Sequence, residues 1–358
     1  MPPSRRRRRM LLAAIALGLG TTVALLLLEG FLRLADPIGL NYDREFATYR
    51  TQALKYAWEG VAPDAFDLDG RLYQHKPNLD LDCGSFRLRT NSLGCRGPEV
   101  AREKPADVFR IVVLGDSVAF GWGVDDEVTF VRRLESEWRP GPSGKRLEVV
   151  NTALPMYDTN QELAALREVG LGLQPDLVLL VYVVNDVEPT RDVVETLLTG
   201  RPPPDGFSMA LPDDAWSWLG DKIGVVLPAT GKLLTSQSDL DARIQRALPP
   251  GETYSAERHG RGPRGWPRSQ AALRTIRDEC RRANVPLLLL DHTLPAIQPL
   301  PAFCEAEGIA YAPLRFTRED LELGLGNSRL DTHANARGHD LLLQRLRQVL
   351  DERGLLPH

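Results

Sequence analysis

The chain is predicted to fold as an α/β protein, a doubly wound αβα sandwich with a mostly parallel five-stranded sheet. Its 358 residues, 43% of them apolar, are enough for one large domain with a full core. After residue 105, apolar runs of strand length alternate with amphipathic runs of helix length. The apolar runs are nearly continuous, which is typical of parallel strands that helices cover on both faces.

The elements follow one another in strict alternation. The predicted strands are 109–116 ("FRIVVLGD"), 146–153, 175–186, 285–293 and 309–314. The predicted helices are 128–138, 159–171, 269–284, 300–308 and 336–354. In a flavodoxin-like sheet of this kind, the ligand crevice lies at the carboxyl ends of the strands, so residues just after the strands become functional candidates.

The N-terminus predicts a transmembrane anchor. A cluster of five arginines precedes the uncharged run 10–28, which as a helix just crosses the hydrocarbon core of a bilayer. Glu29-Gly30-Phe31 follows where a cleaved signal would carry a small-x-small site, which favours an uncleaved anchor over a secretory signal or a twin-arginine signal. Positive charge keeps this end in the cytoplasm, so we expect a single-pass protein of the bacterial inner membrane with its body on the periplasmic, extracytoplasmic side.

Composition shifts divide the chain into three parts. Residues 1–30 are the basic N-terminus and anchor, 31–105 an irregular membrane-proximal segment, and 106–358 the α/β domain. This domain carries an insert at about 188–264, which is rich in Pro and Gly. An excursion of this length between two strands is typical of a lid or a substrate-recognition segment, and Trp216 and Trp218 favour packing there.

Charge and cysteine usage limit the partners. The formal net charge is −4, and the arginine cluster supplies five positive charges, which leaves −9 for the body and argues against nucleic acid as a partner. Cys83 with Cys95 and Cys280 with Cys304 are the simplest disulfide pairs for an oxidising compartment, and buried free thiols are the alternative. Metal-binding spacings such as Cys-x-x-Cys are missing from the sequence, so no cofactor is expected.

A serine and a histidine stand where chemistry is expected. In "GDSVAFGWG", Ser117 follows the first strand, and a strand–turn–helix corner there would expose its hydroxyl beside unpaired N–H groups. The alternative is that Asp116 and Ser117 only cap a helix. In "RLDTHANARGH", Asp331 and His333 share one loop, and a serine becomes a nucleophile when an imidazole, oriented by a carboxylate, takes its proton. The three residues predict a Ser-His-Asp triad.

His292 and His339 are the histidines to compare with His333. His292 follows a strand and is the rival for the general base. His339 stands inside the last predicted helix, where capping or packing is the expected role. His333 is favoured because a carboxylate lies two residues away in the same loop.

These motifs resemble the sequence blocks of the SGNH hydrolase superfamily, the GDSL-type esterases and acetylesterases. The matching blocks are Gly115-Asp116-Ser117, Asn185-Asp186 and Asp331 with His333. The resemblance spans roughly 109–350, and "RTNSLGCRG" with the basic anchor is similar to a membrane-anchored bacterial branch.

The resemblance implies an oxyanion hole formed by the N–H of Ser117, the N–H of Ala153 and the side-chain amide of Asn185. Ala153 and Met156 stand where glycines are usual, so catalytic power is in question and a silent, ligand-binding member is one alternative. The Asp-x-His spacing is one residue shorter than the commoner form, which leaves an O-acetyltransferase of a surface polysaccharide as another alternative. The main expectation is a serine esterase that hydrolyses small acyl esters, acetyl above all, on a small molecule or a cell-surface glycan.

Overall fold

The computed structural model describes residues 5–57, 70–187, 223–224, 226–233, 265–294, 296–328 and 331–357. Most of the predicted insert, including Trp216 and Trp218, lies outside these ranges. The chain forms two compact units. One comprises Met1–Asp43, Leu211–Arg243 and Ser328–Asp331, and the other comprises Arg44–Ala210, Ile244–Asn327 and Thr332–His358.

A five-stranded parallel sheet forms the centre of the larger unit and confirms the predicted fold class. Its strands are β5 (Val108–Gly115), β6 (Arg146–Asn151), β7 (Leu177–Tyr182), β8 (Leu287–Asp291) and β9 (Ala310–Pro313). They lie in the order β6-β5-β7-β8-β9, so the first strand in the sequence is second in the sheet. This is the doubly wound order whose topological switch point lies beside the first strand.

Helices join the strands as the alternation predicts. They are α3 (Ser117–Phe120), α4 (Phe130–Ser136), α5 (Thr159–Ala165), α6 (Trp266–Arg282), α7 (Pro299–Glu307), α8 (Arg318–Glu322) and α9 (Ala336–Glu352). Strand β7 is completely buried, and α6 buries Leu273 and Ile276 against this core. The sheet is therefore covered by helices and has the nearly continuous apolar strands that this requires.

The register of the sheet brings the ends of three strands together. Asn151 pairs with Val113 two residues before β5 ends, and Gly115 pairs with Val181 near the end of β7. The residues that follow these strands therefore emerge at one edge of the sheet, where Ser117, Asn151 and Asn185 are found.

The segment before the sheet contains more regular structure than the sequence indicated. It forms α2 (Asn41–Thr48) and two short antiparallel pairs, β1 (Leu54–Tyr56) with β2 (Tyr73–His75) and β3 (Asp80–Asp82) with β4 (Arg87–Arg89). Its aromatic side chains pack on those that follow Ser117: Tyr49 contacts the rings of Phe120 and Trp122 at centroid distances of 5.8 and 5.2 Å. The predicted boundary near residue 105 therefore falls inside a packed region of the larger unit.

The smaller unit contains the long apolar helix α1 (Arg5–Ala35). Residues Arg8–Ala35 are long and apolar enough to cross a membrane, a test that a signal sequence also passes. Near its end, Glu29 accepts hydrogen bonds from the N–H groups of Ala229 and Thr230, at 3.1 and 2.9 Å. The described piece of the insert is thus held against the last turns of α1.

Candidate active site

The corner after β5 places Ser117 at the first turn of α3. Gly115 has φ 151, and a Cβ there would lie 2.7 Å from Ala119 Cβ, so only glycine fits this approach of strand and helix. Asp116 caps the helix through a 2.9 Å hydrogen bond from the N–H of Val118. The structure confirms that Asp116 caps the helix, while Ser117, whose hydroxyl was expected to be exposed, is a buried residue with only 7% of its surface accessible.

The structure brings His333 to Ser117, 216 residues earlier in the chain. Nε2 of His333 lies 2.9 Å from Oγ of Ser117. The loop that carries His333 is fixed by a hydrogen bond from the N–H of Asn327 to the His333 carbonyl, at 2.9 Å, and the imidazole lies beside the indole of Trp122 at 6.1 Å. This is the reach that a nucleophile and its general base need.

Asp116 joins Ser117 to the predicted oxyanion residue Asn185. Its Oδ2 accepts the hydroxyl of Ser117 at 3.0 Å and the side-chain amide of Asn185 at 2.8 Å. Burial raises the pKa of Asp116, against the opposing effect of the Val118 N–H and of the nearby His333. The hydroxyl proton of Ser117 therefore has two acceptors close by, Asp116 Oδ2 and His333 Nε2.

Asn185 is held by the residue that follows it. Asp186 accepts the N–H of Val183 at 2.7 Å and the hydroxyl of Thr159 at 2.8 Å, which fixes the turn Val184–Val187 after β7. One N–H of the Asn185 amide is used by Asp116. Since the amide carries two N–H groups, one is left for another acceptor.

Ala153 lies near the same edge, but its N–H already has an acceptor. It donates to Oδ1 of Asn151 at 3.1 Å, while the amide of Asn151 donates to the carbonyl of Ala119 at 2.8 Å. The backbone of Ala153 does not have a positive φ, so the absence of glycine costs nothing there. The strain falls on Met156 instead, which has φ 67 in the turn that Tyr157 N–H closes onto Leu154.

Asp331 is buried and lies in the smaller unit, two residues before His333. Its N–H donates to Oγ of Ser328 at 2.9 Å and its carbonyl accepts the N–H of Ser328 at 2.7 Å, so the backbone of this loop is held on both sides. The predicted orientation of the imidazole by the Asp331 carboxylate stays a prediction.

His292 and His339 have other hydrogen-bond partners. His292 contacts the carbonyl of Leu314 through Nδ1 at 3.0 Å and packs edge-on against Phe316, and burial lowers its pKa. His339 accepts the N–H of Phe130 and stacks on its ring, and burial lowers its pKa to about 3, which confirms the predicted packing role. His333 is the histidine that reaches Ser117.

A group of buried carboxyls lies behind Asn185. Glu162 is fully buried, and its carboxyl lies within hydrogen-bonding reach of that of Asp186. Burial and the neighbouring carboxyl of Asp186 raise the pKa of Glu162 well above its usual value, with Asp116 and Asp158 adding to the effect. Burial likewise raises the pKa of Asp186.

Within the described part of the chain, no group of three or more His, Cys, Asp or Glu side chains is arranged to hold a metal ion. The four cysteines are buried free thiols, so of the two alternatives drawn from the sequence the structure has the thiol form. Burial raises the pKa of Cys83, Cys280 and Cys304 to about 12.

Two further polar side chains lie at this edge. Asn151 is one of the candidates at the strand ends, and its amide links the helix of Ser117 to the loop of Ala153. Arg96, which no sequence pattern singled out, donates to the carbonyl of Phe120 at the end of the same helix. No local pattern distinguishes Arg96 from a surface arginine.

Among the solved structures that match this chain are proteins described as a lipase and as esterases. They include a GDSL-like lipase from Bacteroides thetaiotaomicron with 11% identity and TM-score 0.37, covering 71% of this chain and 93% of that one. A psychrotrophic esterase from Pseudoalteromonas sp. has 13% identity and TM-score 0.39, covering 68% and 97%. An acetyl xylan esterase from Geobacillus stearothermophilus has 14% identity and TM-score 0.38, covering 70% and 97%.

No family model and no curated protein matches the chain. At the identities and scores of the solved structures, the likeness carries no argument about activity. The functional conclusion therefore depends on the geometry around Ser117.

Proposed function

We propose that the chain is an ester hydrolase of the SGNH type, in which Ser117 is the nucleophile. The observation that carries the proposal is the 2.9 Å contact between Ser117 Oγ and His333 Nε2 at the carboxyl edge of the sheet. A cap alone would not need an imidazole on the hydroxyl, because Asp116 already caps the helix.

In the acylation step, Oγ of Ser117 attacks the ester carbonyl while His333 Nε2 takes the hydroxyl proton. The new bond is Oγ to acyl carbon, the bond that breaks joins the acyl carbon to the alcohol oxygen, and His333 returns the proton to the leaving alkoxide. Water then attacks the acyl-enzyme by the same proton path. Asp331 is assigned the role of holding the proton on Nδ1, so that Nε2 is free to accept.

The negative oxygen formed during attack needs donors that are already in place. We assign this role to the N–H of Ser117 and to the N–H of the Asn185 amide that Asp116 does not use. The N–H of Ala153 would have to divide its hydrogen bond between Asn151 and the oxyanion, which makes it the weakest of the three predicted donors. A small acyl ester such as an acetylated glycan is the proposed substrate.

Active-site labelling tests this function. Full-length protein in detergent should react with a fluorophosphonate at Ser117 and release acid from an aryl acetate. Ser117→Ala should lose both reactions, with kcat lower by about six orders of magnitude. Ser143→Ala, which removes an exposed hydroxyl that contacts the carbonyl of Pro357, should keep both.

Each other outcome has a definite meaning. Labelling of Ser117→Ala at a different serine would remove Ser117 from the mechanism. A correctly folded wild type that neither labels nor turns over acetate would favour the silent binder. Labelling together with acetyl transfer to a sugar acceptor, in place of acid release, would identify the acetyltransferase.

We further propose that α1 is an uncleaved anchor and that the body is extracytoplasmic. The five arginines before the apolar run and the contacts of Glu29 with the insert support this topology. A reporter that needs export should be active when fused after His358, and the protein should stay with membranes through a carbonate wash. Recovery of a soluble chain starting near residue 30 would replace the anchor by a cleaved signal.

A further inference from the structure

Arg96 is a fully buried arginine beneath the nucleophile. It comes from the loop after β4, and its guanidinium donates three hydrogen bonds to backbone carbonyls that follow Ser117 in the chain. The acceptors are Phe120 at 2.8 Å, Gly121 at 2.7 Å and Val124 at 2.6 Å. The first two carbonyls end helix α3, whose first residue is Ser117.

The guanidinium is also fixed from its faces and its edge. It lies over the ring of Phe120 at 4.5 Å and near that of Phe86 at 5.4 Å. Its Nε is 3.7 Å from a carboxyl oxygen of Asp126. The planar guanidinium, held beside two aromatic rings, has one orientation. A lysine ammonium on its flexible stem would not be held in this way.

The backbone of Arg96 contacts the second half of the predicted oxyanion hole. Arg96 forms an antiparallel bridge with Asn151 at the end of β6. The side chain of Asn151 in turn accepts the N–H of Ala153 and donates to the carbonyl of Ala119. One residue therefore contacts the loop of Ala153 through its main chain and the helix of Ser117 through its side chain.

Burying a guanidinium is costly, and stability alone does not require one. Replacing a buried charged group by a well-packed apolar one is often neutral or stabilising. A single side chain that satisfies three carbonyls in a fixed plane does something an apolar group cannot, because it fixes where those carbonyls lie.

We infer that Arg96 is a positioning residue, which sets the Ser117 helix and the Asn151 to Ala153 loop at the spacing that the attacking hydroxyl and the oxyanion donors require. The inference rests on the proposed ester hydrolysis. Part of the catalytic geometry would then depend on the membrane-proximal segment 31–105, which precedes the sheet.

The chain offers a matched control in Arg110. This arginine is also fully buried, and its guanidinium binds the carbonyls of Leu173 at 2.5 Å and Ala101 at 2.9 Å and pairs with Glu148. It belongs to the same strand that leads to Ser117 but lies near its opposite end. Arg96→Lys and Arg110→Lys each keep one positive charge and lose one planar fork.

The test measures kcat and KM for an aryl acetate, the rate of fluorophosphonate labelling, and the unfolding midpoint, all per folded molecule of full-length protein. We expect both variants to be destabilised. Only Arg96→Lys should lose kcat, by roughly 10²-fold, with KM little changed, as expected when reacting groups are misplaced by about 1 Å. Labelling should slow in parallel, since phosphonylation uses the same hydroxyl and the same donors.

Chemical rescue separates positioning from folding. Methylguanidinium should restore part of the activity of Arg96→Ala, while methylammonium at the same ionic strength should not, because only the planar ion fits the three carbonyls. If Arg96→Lys and Arg110→Lys keep the same kcat, or if the two ions act alike, the inference is wrong. An inactive, unlabelled wild type would overturn the proposed function and, with it, this role of Arg96.

Discussion

The two ends of the sheet treat buried polar groups differently. At the amino end, two ion pairs lie beside the strands: buried Arg110 pairs with partly exposed Glu148, and Lys104 contacts Asp176 at 2.6 Å. The other oxygen of Asp176 accepts the backbone N–H of Arg110 at 2.8 Å. The polar contacts at this end link neighbouring strands and stabilise their register.

At the carboxyl end, donors and acceptors are shared instead of matched. One oxygen of Asp116 serves both Ser117 and Asn185, and the buried carboxyl of Glu162 lies beside that of Asp186. Costs of this kind are typical of functional sites. The comparison indicates that shared contacts, and not position in the sheet alone, mark the candidate site.

The largest effect expected from this comparison separates two histidines of the carboxyl end. His333→Ala should lower kcat by about 10⁴-fold or more, because the nucleophile loses its base. His292→Ala removes a ring that contacts the Leu314 carbonyl and the Phe316 ring, so the kcat of this variant should change by much less. Steady-state kinetics on the folded fraction of each variant decide the matter.

Equal losses in the two variants would break the comparison, since a satisfied histidine would then matter as much as a shared one. A larger loss for His292→Ala would move the general base to His292. The free energy of unfolding of both variants, measured in parallel, excludes loss of folded protein as the cause.

An intermediate effect concerns stability against pH. The pKa of Glu162 is raised in the folded protein from its ordinary 4.5, so above pH 4.5 the folded state keeps a proton that the unfolded state releases. The free energy of unfolding should therefore fall as pH rises above 4.5, by about 1.4 kcal/mol per pH unit for each such proton, until the folded pKa is reached. Glu162→Gln has no proton to lose, so its stability relative to wild type should improve as pH rises.

Denaturant midpoints across this pH range measure the slope. Glu279 provides the control of opposite sign, because its hydrogen bond from Arg167 lowers its pKa and its contribution is lost as pH falls. Glu279→Gln should therefore lose stability relative to wild type at higher pH. A constant difference between Glu162→Gln and wild type would show that Glu162 is ionised in the folded protein.

The smallest effect sharpens the comparison at the strained turn. Met156→Gly should raise the free energy of unfolding by about 1 kcal/mol, because glycine adopts a positive φ without strain. Gln174→Gly, at φ 55 and remote from Ser117, should give a similar gain. Only Met156→Gly should also lower kcat, since the N–H of Leu154 in that turn binds the carbonyl of Gly115. Unchanged kinetics would make the strain at Met156 unrelated to the site.

The sheet and its helices could be predicted because their signals are local. Each predicted strand overlaps an observed one, since a parallel strand buried on both faces has to be apolar along its whole length. Ser117 and His333 could be chosen as partners because the topology places residues after strands at one edge, and the histidine loop adds a carboxylate.

The contacts that Asn151, Arg96 and Asp116 make could not be predicted in the same way, because they join residues far apart in sequence. The short strands of 54–89 were missed for a different reason, because three residues are too few to show an alternation.

The aromatic packing between Tyr49 and the rings of Phe120 and Trp122 bears on how the protein can be shortened. A fragment that starts at residue 106 would expose both rings and lose the guanidinium of Arg96. It would therefore lack the side chains that pack against the helix of Ser117. A fragment that starts near Arg44, where the larger unit begins, lacks α1 and keeps these packing side chains.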